Sequence, residues 1–219
     1  MSCDTNCIDG SGTLHSDTRT PGPFSGIKLG ISANVQVEHA AVAECTISAQ
    51  QNILQTIETS ITDGTLYIHS DACFGDCLPI TIRIKSPDVS KLIVNGSGSI
   101  ATKGRIAGDR LEFGLNGSGT IKAEVDAQRI YGGLKGSGSI ELTGTAKDQF
   151  VKVSGSGSYN ASDVPTVRSD VSLSGSGEIR IYAIDKLNAS LNGSGNILYK
   201  GSPQTSINSN GSGRVEKIR

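Results

Sequence analysis

The tripeptide Gly-Ser-Gly occurs seven times between residues 96 and 213 of this 219-residue chain, at nearly constant spacing. Successive copies are separated by 21, 19, 19, 20, 18 and 18 residues. A fixed period of this size is typical of solenoids, in which each repeat packs on the one before it. The central serines of the seven copies are Ser97, Ser118, Ser137, Ser156, Ser176, Ser194 and Ser212.

The residues around each tripeptide alternate in character. Between Leu111 and Val125 every second position is apolar or glycine, and most positions between them are polar. A period of two predicts extended chain with one buried face rather than helix. By this parity both glycines of each tripeptide should face inward, where missing side chains let backbone approach backbone. We therefore interpret Gly-Ser-Gly as the corner at which each coil turns.

Stacked corners would create rows of polar side chains. If the coils stack in parallel at about 4.8 Å, the central serines form an outward column. The residue before each tripeptide forms a second one: Asn95, Asn116, Lys135, Ser154, Ser174, Asn192 and Asn210. Hydroxyl and amide groups can hydrogen-bond sugars or the backbone of a partner. Packing of stacked corners also requires small polar residues, so the sequence leaves both explanations of the rows open.

Composition argues against two other readings of the repeat. A net charge of -1 with 36% hydrophobic residues is unlike the profile of a disordered chain. An outer-membrane barrel needs aromatic girdles, whereas this chain has no Trp and 4% aromatic residues. The sequence therefore predicts an all-β fold, a single-stranded parallel β-helix with about 18–21 residues per regular coil.

The chain divides into three segments by pattern. Residues 1–23 are rich in Asp, Thr, Gly and Pro and are interpreted as a flexible leader. We expect residues 24–91 to form irregular β coils that cap the first open edge. We expect residues 92–219 to form the regular coils. Residues 24–219 are expected to form one continuous domain. The charged segment 215–219 would discourage other strands from pairing with the edge of the last coil.

This pattern resembles the bacterial family described as putative auto-transporter adhesin, head GIN domain. The resemblance covers roughly residues 24–215 and rests on the opening Phe24-Ser25-Gly26-Ile27, the segment 63–68, the serial tripeptides and the late segment 199–203. It implies a right-handed parallel β-helix in an exported protein of the bacterial cell envelope. The location would be the outer membrane and cell surface or the periplasm. No catalytic motif of the family maps onto this chain.

The five cysteines have three interpretations. In an oxidising compartment, a Cys73–Cys77 disulfide would close a short loop. The two cysteines then left, Cys7 and Cys45, would form the second disulfide. Cys3 would then be the lipidated residue of a processed lipoprotein. This lipid would be the means of membrane attachment, because no apolar run approaches ~18 residues. A zinc site built from Cys3, Cys7, Cys73 and Cys77 is the rival reading, and free thiols are the third.

The expected function is a non-enzymatic adhesin or scaffold without a cofactor. The alternative is a solenoid that binds glycans or cleaves polysaccharides, which requires clustered carboxylates and cations. Here the acidic residues are scattered over turns, where their turn-forming tendency explains them. The chain has 20 basic and 21 acidic residues without a basic tract, which argues against nucleic acid. We expect a glycan or a cell-surface protein as partner, and self-association into a homo-oligomer stays open.

Overall fold

The computed structural model describes residues 7–219 as a parallel β-solenoid of about seven turns. Strands make up 70% of the chain and helix 2%, which confirms the predicted all-β class. In chain order the elements are β1 Leu14–Arg19, β2 Gly26–Leu29, β3 Asn34–His39, β4 Glu44–Gln50, α1 Gln51–Leu54, β5 Glu58–Thr62, β6 Thr65–His69, β7 Thr81–Ser86, β8 Lys91–Gly96, β9 Ser99–Gly117, β10 Thr120–Gly136, β11 Ser139–Gly155, β12 Ser158–Gly175, β13 Glu178–Gly193, β14 Asn196–Lys200, β15 Gln204–Asn210 and β16 Arg214–Lys217.

Each regular coil is one long strand that begins just after one tripeptide and ends within the next. β10 and β11, for example, pair in parallel from Thr120↔Ser139 to Gly136↔Gly155. The two halves of a coil lie on different faces, since β14 continues the first half of β13 and β15 continues the second half. We call the half after a tripeptide the leading face and the half before the next tripeptide the trailing face.

The apolar core runs along the axis as columns of stacked side chains. On the trailing face one column holds Val94, Leu115, Leu134, Val153, Leu173 and Leu191, and on the leading face another holds Val35, Ile100, Ile121, Ile140, Tyr159, Ile179 and Ile197. All of these side chains are buried. Full burial of one such side chain contributes about 1.5–3 kcal/mol, so the alternation that predicts the strands also supplies the main stabilisation.

One level of the core is polar. Gln149 donates hydrogen bonds to the hydroxyls of Thr166 and Ser169 at 3.2 and 3.0 Å, and all three residues are fully buried. In the adjoining coil, the ring of Tyr159 fills the space over Gly132, where a Cβ atom would come within 2.5 Å of Cε2. Burial raises the pKa of the Tyr159 hydroxyl far above its ordinary value.

The first end of the solenoid is closed by antiparallel strands. On the leading face β4 pairs antiparallel with β7, and β1 pairs antiparallel with β4. On the trailing face β5 pairs antiparallel with β6. The short helix α1 joins β4 to β5. Antiparallel strands thus close this end, and we call residues 7–23 and 40–79 the N-terminal cap.

The prediction of a flexible leader over residues 1–23 is wrong for its described part. Residues 14–19 form β1, and Ile8 pairs with Phe74 through a parallel bridge. The composition of this segment suggested mobility, but long-range backbone bonds such as Ile8 N–H to Cys73 O at 2.9 Å hold it in place. Residues 1–6 lie outside the described part of the chain.

The disulfide also differs from the predicted pairing. Cys7 is bonded to Cys73 with a Cα–Cα distance of 4.7 Å, while Cys45 and Cys77 are free thiols. The predicted Cys73–Cys77 and Cys7–Cys45 bridges are therefore wrong. The physical reason is the bridge beside Ile8, which brings Cys7 next to Cys73, whereas Cys45 is buried inside β4.

Candidate functional site

The seven tripeptides form one corner of the solenoid. All seven central serines, from Ser97 to Ser212, are exposed on its outer side. This places the serines where the alternation put them, in one outward column. Each of the first glycines has a φ between 116° and 132°, a region that residues with a Cβ rarely adopt.

Backbone hydrogen bonds fix each corner on the one below it. The carbonyl of Gly136 accepts from the N–H groups of Ser156 and Gly157, at 3.0 and 2.9 Å. The same double acceptance recurs at Gly96, Gly117, Gly155 and Gly175. The serine column therefore stands on a hydrogen-bonded ladder, and its register cannot slip without breaking two bonds per coil.

The expectation that both glycines face inward is correct for only one of them. The second glycine is buried in the first six copies, as at Gly157, where a Cβ atom would lie 2.6 Å from the carbonyl oxygen of Gly138. The first glycine is partly or fully exposed, as at Gly155. Its need for glycine comes from its positive φ and from the carbonyl oxygen of Gly136, since a Cβ atom at Gly155 would lie 2.5 Å from that oxygen.

The hydroxyls of the serine column are almost all unengaged. Ser212 donates to the hydroxyl of Ser194 at 3.0 Å. Within residues 7–219 the other five central serines make no side-chain hydrogen bond in the protein. Regularly spaced hydroxyls that face solvent are both donors and acceptors for an external partner.

The second predicted column lies directly beside the first. Asn95, Asn116, Lys135, Ser154, Ser174, Asn192 and Asn210 pair in register from coil to coil. The amide of Asn116 donates to the side-chain oxygen of Asn95 at 3.0 Å. Asn116, Asn192 and Asn210 are exposed. Both predicted rows are therefore brought together into a single polar corner two side chains wide.

A row of aromatic and arginine side chains, which was not predicted from the sequence, lies on the trailing face. The rings of Tyr131 and Phe150 stack with centroids 5.1 Å apart. The guanidinium of Arg110 lies 3.8 Å from the Tyr131 centroid, and that of Arg168 lies 5.9 Å from the Phe150 centroid. Because Tyr131 and Phe150 are 19 residues apart, the repeat spacing could have revealed the contact. The faces of both rings are occupied by contacts within this row. These contacts between side chains of neighbouring coils stabilise the stacking of the coils.

A cleft of about 310 Å³ lies on the leading face, where β3 and β7 end beside the middle of β9. Its rim carries Glu38, Lys103 and Arg105. Glu38 pairs with Lys103 at 3.5 Å, and Arg105 pairs with Glu124 at 3.1 Å. Both rim cations are thus neutralised by carboxylates, and the cleft does not offer the free positive charge that an acidic polymer would require.

The thiols of residues 7–219 do not form a metal centre. The Cys7–Cys73 disulfide removes two of the sulfurs on which the zinc hypothesis depended, and Cys3 lies outside the described part. Across residues 7–219 no three side chains of His, Cys, Asp or Glu are grouped so that they could hold a metal ion. Burial raises the pKa of the Cys45 thiol to about 11, partly opposed by nearby Arg19. That thiol is a core residue rather than a reactive group.

Among the described residues no helix has the length and hydropathy to cross a bilayer. The geometry thus defines a class: a β-solenoid that displays a polar corner on a rigid backbone. The family described as putative auto-transporter adhesin, head GIN domain, matches residues 23–203. Because the match spans most of the chain, the protein belongs to this family, and the resemblance stated from the tripeptides is confirmed. Membership of an adhesin family indicates an exported cell-surface protein.

Solved structures show the same fold. A putative adhesin from Bacteroides fragilis is 24% identical, with a TM-score of 0.90 over 96% of this chain and 100% of its own. A putative lipid binding protein from Parabacteroides distasonis is 24% identical, with a TM-score of 0.80 over 98% and 100%. A putative adhesin from Parabacteroides merdae is 20% identical, with a TM-score of 0.77 over 97% and 99%. Comparison with curated proteins gives no match.

Proposed function

We propose that the protein is a non-enzymatic adhesin or scaffold of the bacterial envelope, which binds a glycan or a cell-surface protein along its polar corner. Family membership supports the adhesin class. The observation that carries the proposal is the serine column, in which five exposed hydroxyls without side-chain partners repeat from Ser97 to Ser176. Such a row matches a ligand that itself repeats or extends, such as a polysaccharide or an extended peptide.

The corner suits binding because it is ordered before the ligand arrives. The five serines from Ser118 to Ser194 are fixed by backbone bonds to the coil below, such as that from Ser137 N–H to Gly117 O at 3.0 Å. A ligand therefore does not have to order the protein, and that ordering would otherwise weaken the affinity. Coil spacing of about 4.8 Å sets the repeat distance that a ligand must match.

We place the protein at the outer membrane surface or in the periplasm, attached through a lipid on Cys3. An envelope location is supported by the family and by the Cys7–Cys73 disulfide, since disulfides persist in oxidising compartments. Mass spectrometry of protein from native membranes tests the anchor. A diacylglycerol-modified Cys3 supports it, and an unmodified Cys3 in a mature chain contradicts it.

Binding to a glycan array and to whole cells tests the function. The variant Ser137→Glu/Ser156→Glu adds two carboxylates to the corner without touching the ladder bonds, and it should lose at least about tenfold in affinity. The matched control is Gln128→Glu/Thr143→Glu, at exposed positions away from the corner, and it should bind like the wild type. Equal binding by both variants would contradict the assignment of the corner.

Turnover separates the adhesin from the alternative enzyme. Uronic acid polymers and neutral glycans are incubated with the protein, and new reducing or unsaturated ends are measured. Binding without product supports an adhesin. Product formation at a rate proportional to protein concentration would replace the proposal with a polysaccharide-cleaving activity.

A further inference from the structure

The two ends of the solenoid both present unpaired strand edges. At the first end, β1 pairs only with β4 and β5 pairs only with β6. At the other end, β15 pairs only with β13 and β16 pairs only with β14, within the described residues. An unpaired edge offers a row of backbone donors and acceptors to another strand. We call residues 196–219 the C-terminal coil.

The edges at the two ends correspond in position. β1 and β16 both lie on the leading face, and β5 and β15 both lie on the trailing face. β1 is antiparallel to β4, which is antiparallel to β7, so β1 runs in the same direction as β16 and the other leading strands. The leading face could therefore continue from one copy to the next as a parallel ladder, and the trailing face as an antiparallel one.

The N-terminal cap is strongly acidic. Its residues include seven carboxylates and one basic residue, Arg19, and the carboxylates are Asp9, Asp17, Glu44, Glu58, Asp63, Asp71 and Asp76. Arg19 is already paired with Asp17 at 2.8 Å. The side chain of Glu58 is 70% exposed. The residues of the cap therefore have a net charge of -6. Of its carboxylates, Glu44 is also paired with Lys85 of β7 at 2.9 Å.

The C-terminal coil is basic. Its charged residues are Lys200, Arg214, Lys217, Arg219 and one carboxylate, Glu216. Lys200 is paired with Asp163 of β12 at 3.2 Å. The Arg214 side chain is 74% exposed. This end therefore has a net charge of +3, although the whole chain carries only -1. A nearly neutral chain thus has one acidic end and one basic end.

Each end also exposes apolar side chains at its edge strands. Leu14 on β1 is 53% exposed and Ile61 on β5 is 37% exposed. Ile207 on β15 is in register with buried Ala189 but is itself 45% exposed, since among the described residues no strand pairs with the outer edge of β15. Contact between the two ends would cover these side chains on both partners.

From these observations we propose that the protein associates with further copies of itself head to tail, with the C-terminal coil of one copy on the N-terminal cap of the next. Opposite charges attract in this arrangement, whereas two caps or two C-terminal coils would repel each other. The charge pattern thus selects a head-to-tail contact over a two-fold symmetric one. Head-to-tail contacts between stacked ends produce open filaments rather than closed dimers. This association is independent of what the polar corner binds.

Light scattering across a concentration series tests the proposal at two ionic strengths. At about 0.01 M the Debye length is about 30 Å, and at about 1 M it is about 3 Å. The wild-type mass should rise with concentration to at least about twice the monomer's 22.7 kDa at low salt, and it should fall toward the monomer at high salt. Non-reducing electrophoresis of each sample excludes covalent dimers through Cys77.

Charge reversal identifies the surfaces. Arg214→Glu/Lys217→Glu makes the C-terminal coil acidic and should abolish the growth in mass. Lys147→Glu/Lys152→Glu changes the net charge equally, at exposed positions on β11 in the middle of the rod, and should associate like the wild type apart from a small general effect. Circular dichroism and thermal melting of each variant confirm that it is folded.

A second variant, with charges changed on the cap, tests the other side of the proposed contact. Glu58→Lys/Asp63→Asn/Asp71→Lys/Asp76→Lys, all at exposed positions, changes the charge of the cap from -6 to +1 and should also be monomeric alone. Mixing it with Arg214→Glu/Lys217→Glu should restore growth in mass, because each basic end then meets an acidic one. A wild type that stays monomeric at low salt, growth that stops at two copies, or equal loss in the mid-rod control would each overturn the proposal.

Discussion

The regular coils and the N-terminal cap hold their turns in place by different contacts. In residues 96–213 every turn from the trailing to the leading face uses Gly-Ser-Gly, with each corner bonded to the one below. In the first part the turn from β2 to β3 has no tripeptide, and the turn from β6 to β7 is a loop held by the Cys7–Cys73 disulfide. Glycine is thus needed where one corner lies directly on another, and covalent and antiparallel contacts replace it where the stack begins.

The largest effect is expected from a side chain at a buried regular corner. Gly157→Val should lower the free energy of unfolding by about 3–5 kcal/mol, because its Cβ would lie 2.6 Å from the Gly138 oxygen and would also meet Leu134. Chemical denaturation measures the change. Ser156→Ala, at the adjacent exposed position, should cost under about 1 kcal/mol. Equal losses for the two variants would contradict the assigned faces.

Loss of the disulfide should have the next largest effect, confined to the cap. Cys73→Ser opens a link across a sequence separation of 66 residues and should cost about 2–4 kcal/mol. Hydrogen exchange should rise in residues 7–19 and 70–80, while the regular coils stay protected. Peptide mapping without reductant should find Cys7 joined to Cys73. A Cys73–Cys77 peptide would contradict the Cys7–Cys73 disulfide. Hydrogen exchange that rises uniformly along the chain would show that the disulfide does not stabilise the cap independently of the regular coils.

A glycine in the irregular corner should tolerate a side chain. At Gly30 a Cβ atom would lie 3.4 Å from the Ile68 oxygen, and the backbone is outside the positive-φ region. Gly30→Ala should therefore cost about 1 kcal/mol or less. Gly155→Ala, at a φ of 116°, should cost at least twice as much. A reversal of this order in thermal or chemical unfolding would remove the distinction between the two kinds of corner.

The aromatic row should contribute modestly to the regular coils. Phe150→Ser removes the stack on Tyr131 and should cost about 1 kcal/mol beyond the loss of buried area. A double-mutant cycle with Tyr131→Ser isolates the pair, and a coupling of about 0.5–1.5 kcal/mol is expected. A coupling of zero would show that the rings do not hold the coils together.

The two free thiols should differ in reactivity rather than in stability. Burial raises the Cys45 pKa to about 11 from 9.0, so folding favours the protonated thiol. Its contribution to stability is complete below about pH 9 and is lost as the pH rises through about 11. In the native protein at mildly alkaline pH, iodoacetamide should label Cys77 well before Cys45. Similar labelling rates before unfolding would show that β4 opens readily.

Local pattern was enough to predict the regular coils. The period-two alternation and the constant spacing specify strands, parallel stacking and an outward column, because the same coil is repeated in register. Even the Tyr131–Phe150 contact follows from that spacing. The first glycine was misassigned because parity describes a straight strand, whereas the strand turns at Gly155 with a positive φ.

The cap could not be predicted from spacing. The Cys7–Cys73 pairing depends on a parallel bridge between segments far apart in sequence, and β4 inserts between β1 and β7 against the chain order. The cleft at Glu38 likewise combines the ends of β3 and β7 from this irregular part with the middle of β9. These contacts are set by topology, and no repeat marks them.

Hydrogen exchange at the corners, followed by NMR, tests the stacking most directly. The amides of Ser156 and Gly157 are bonded to the Gly136 carbonyl, so they should exchange slowly, with protection comparable to that of the strand amide of Val153, although Ser156 is exposed. Ser212, at the open end, should exchange faster than Ser156. Exchange of the Ser156 and Gly157 amides at the rate of an unstructured Gly-Ser peptide would contradict the stacked corner and the polar surface built on it.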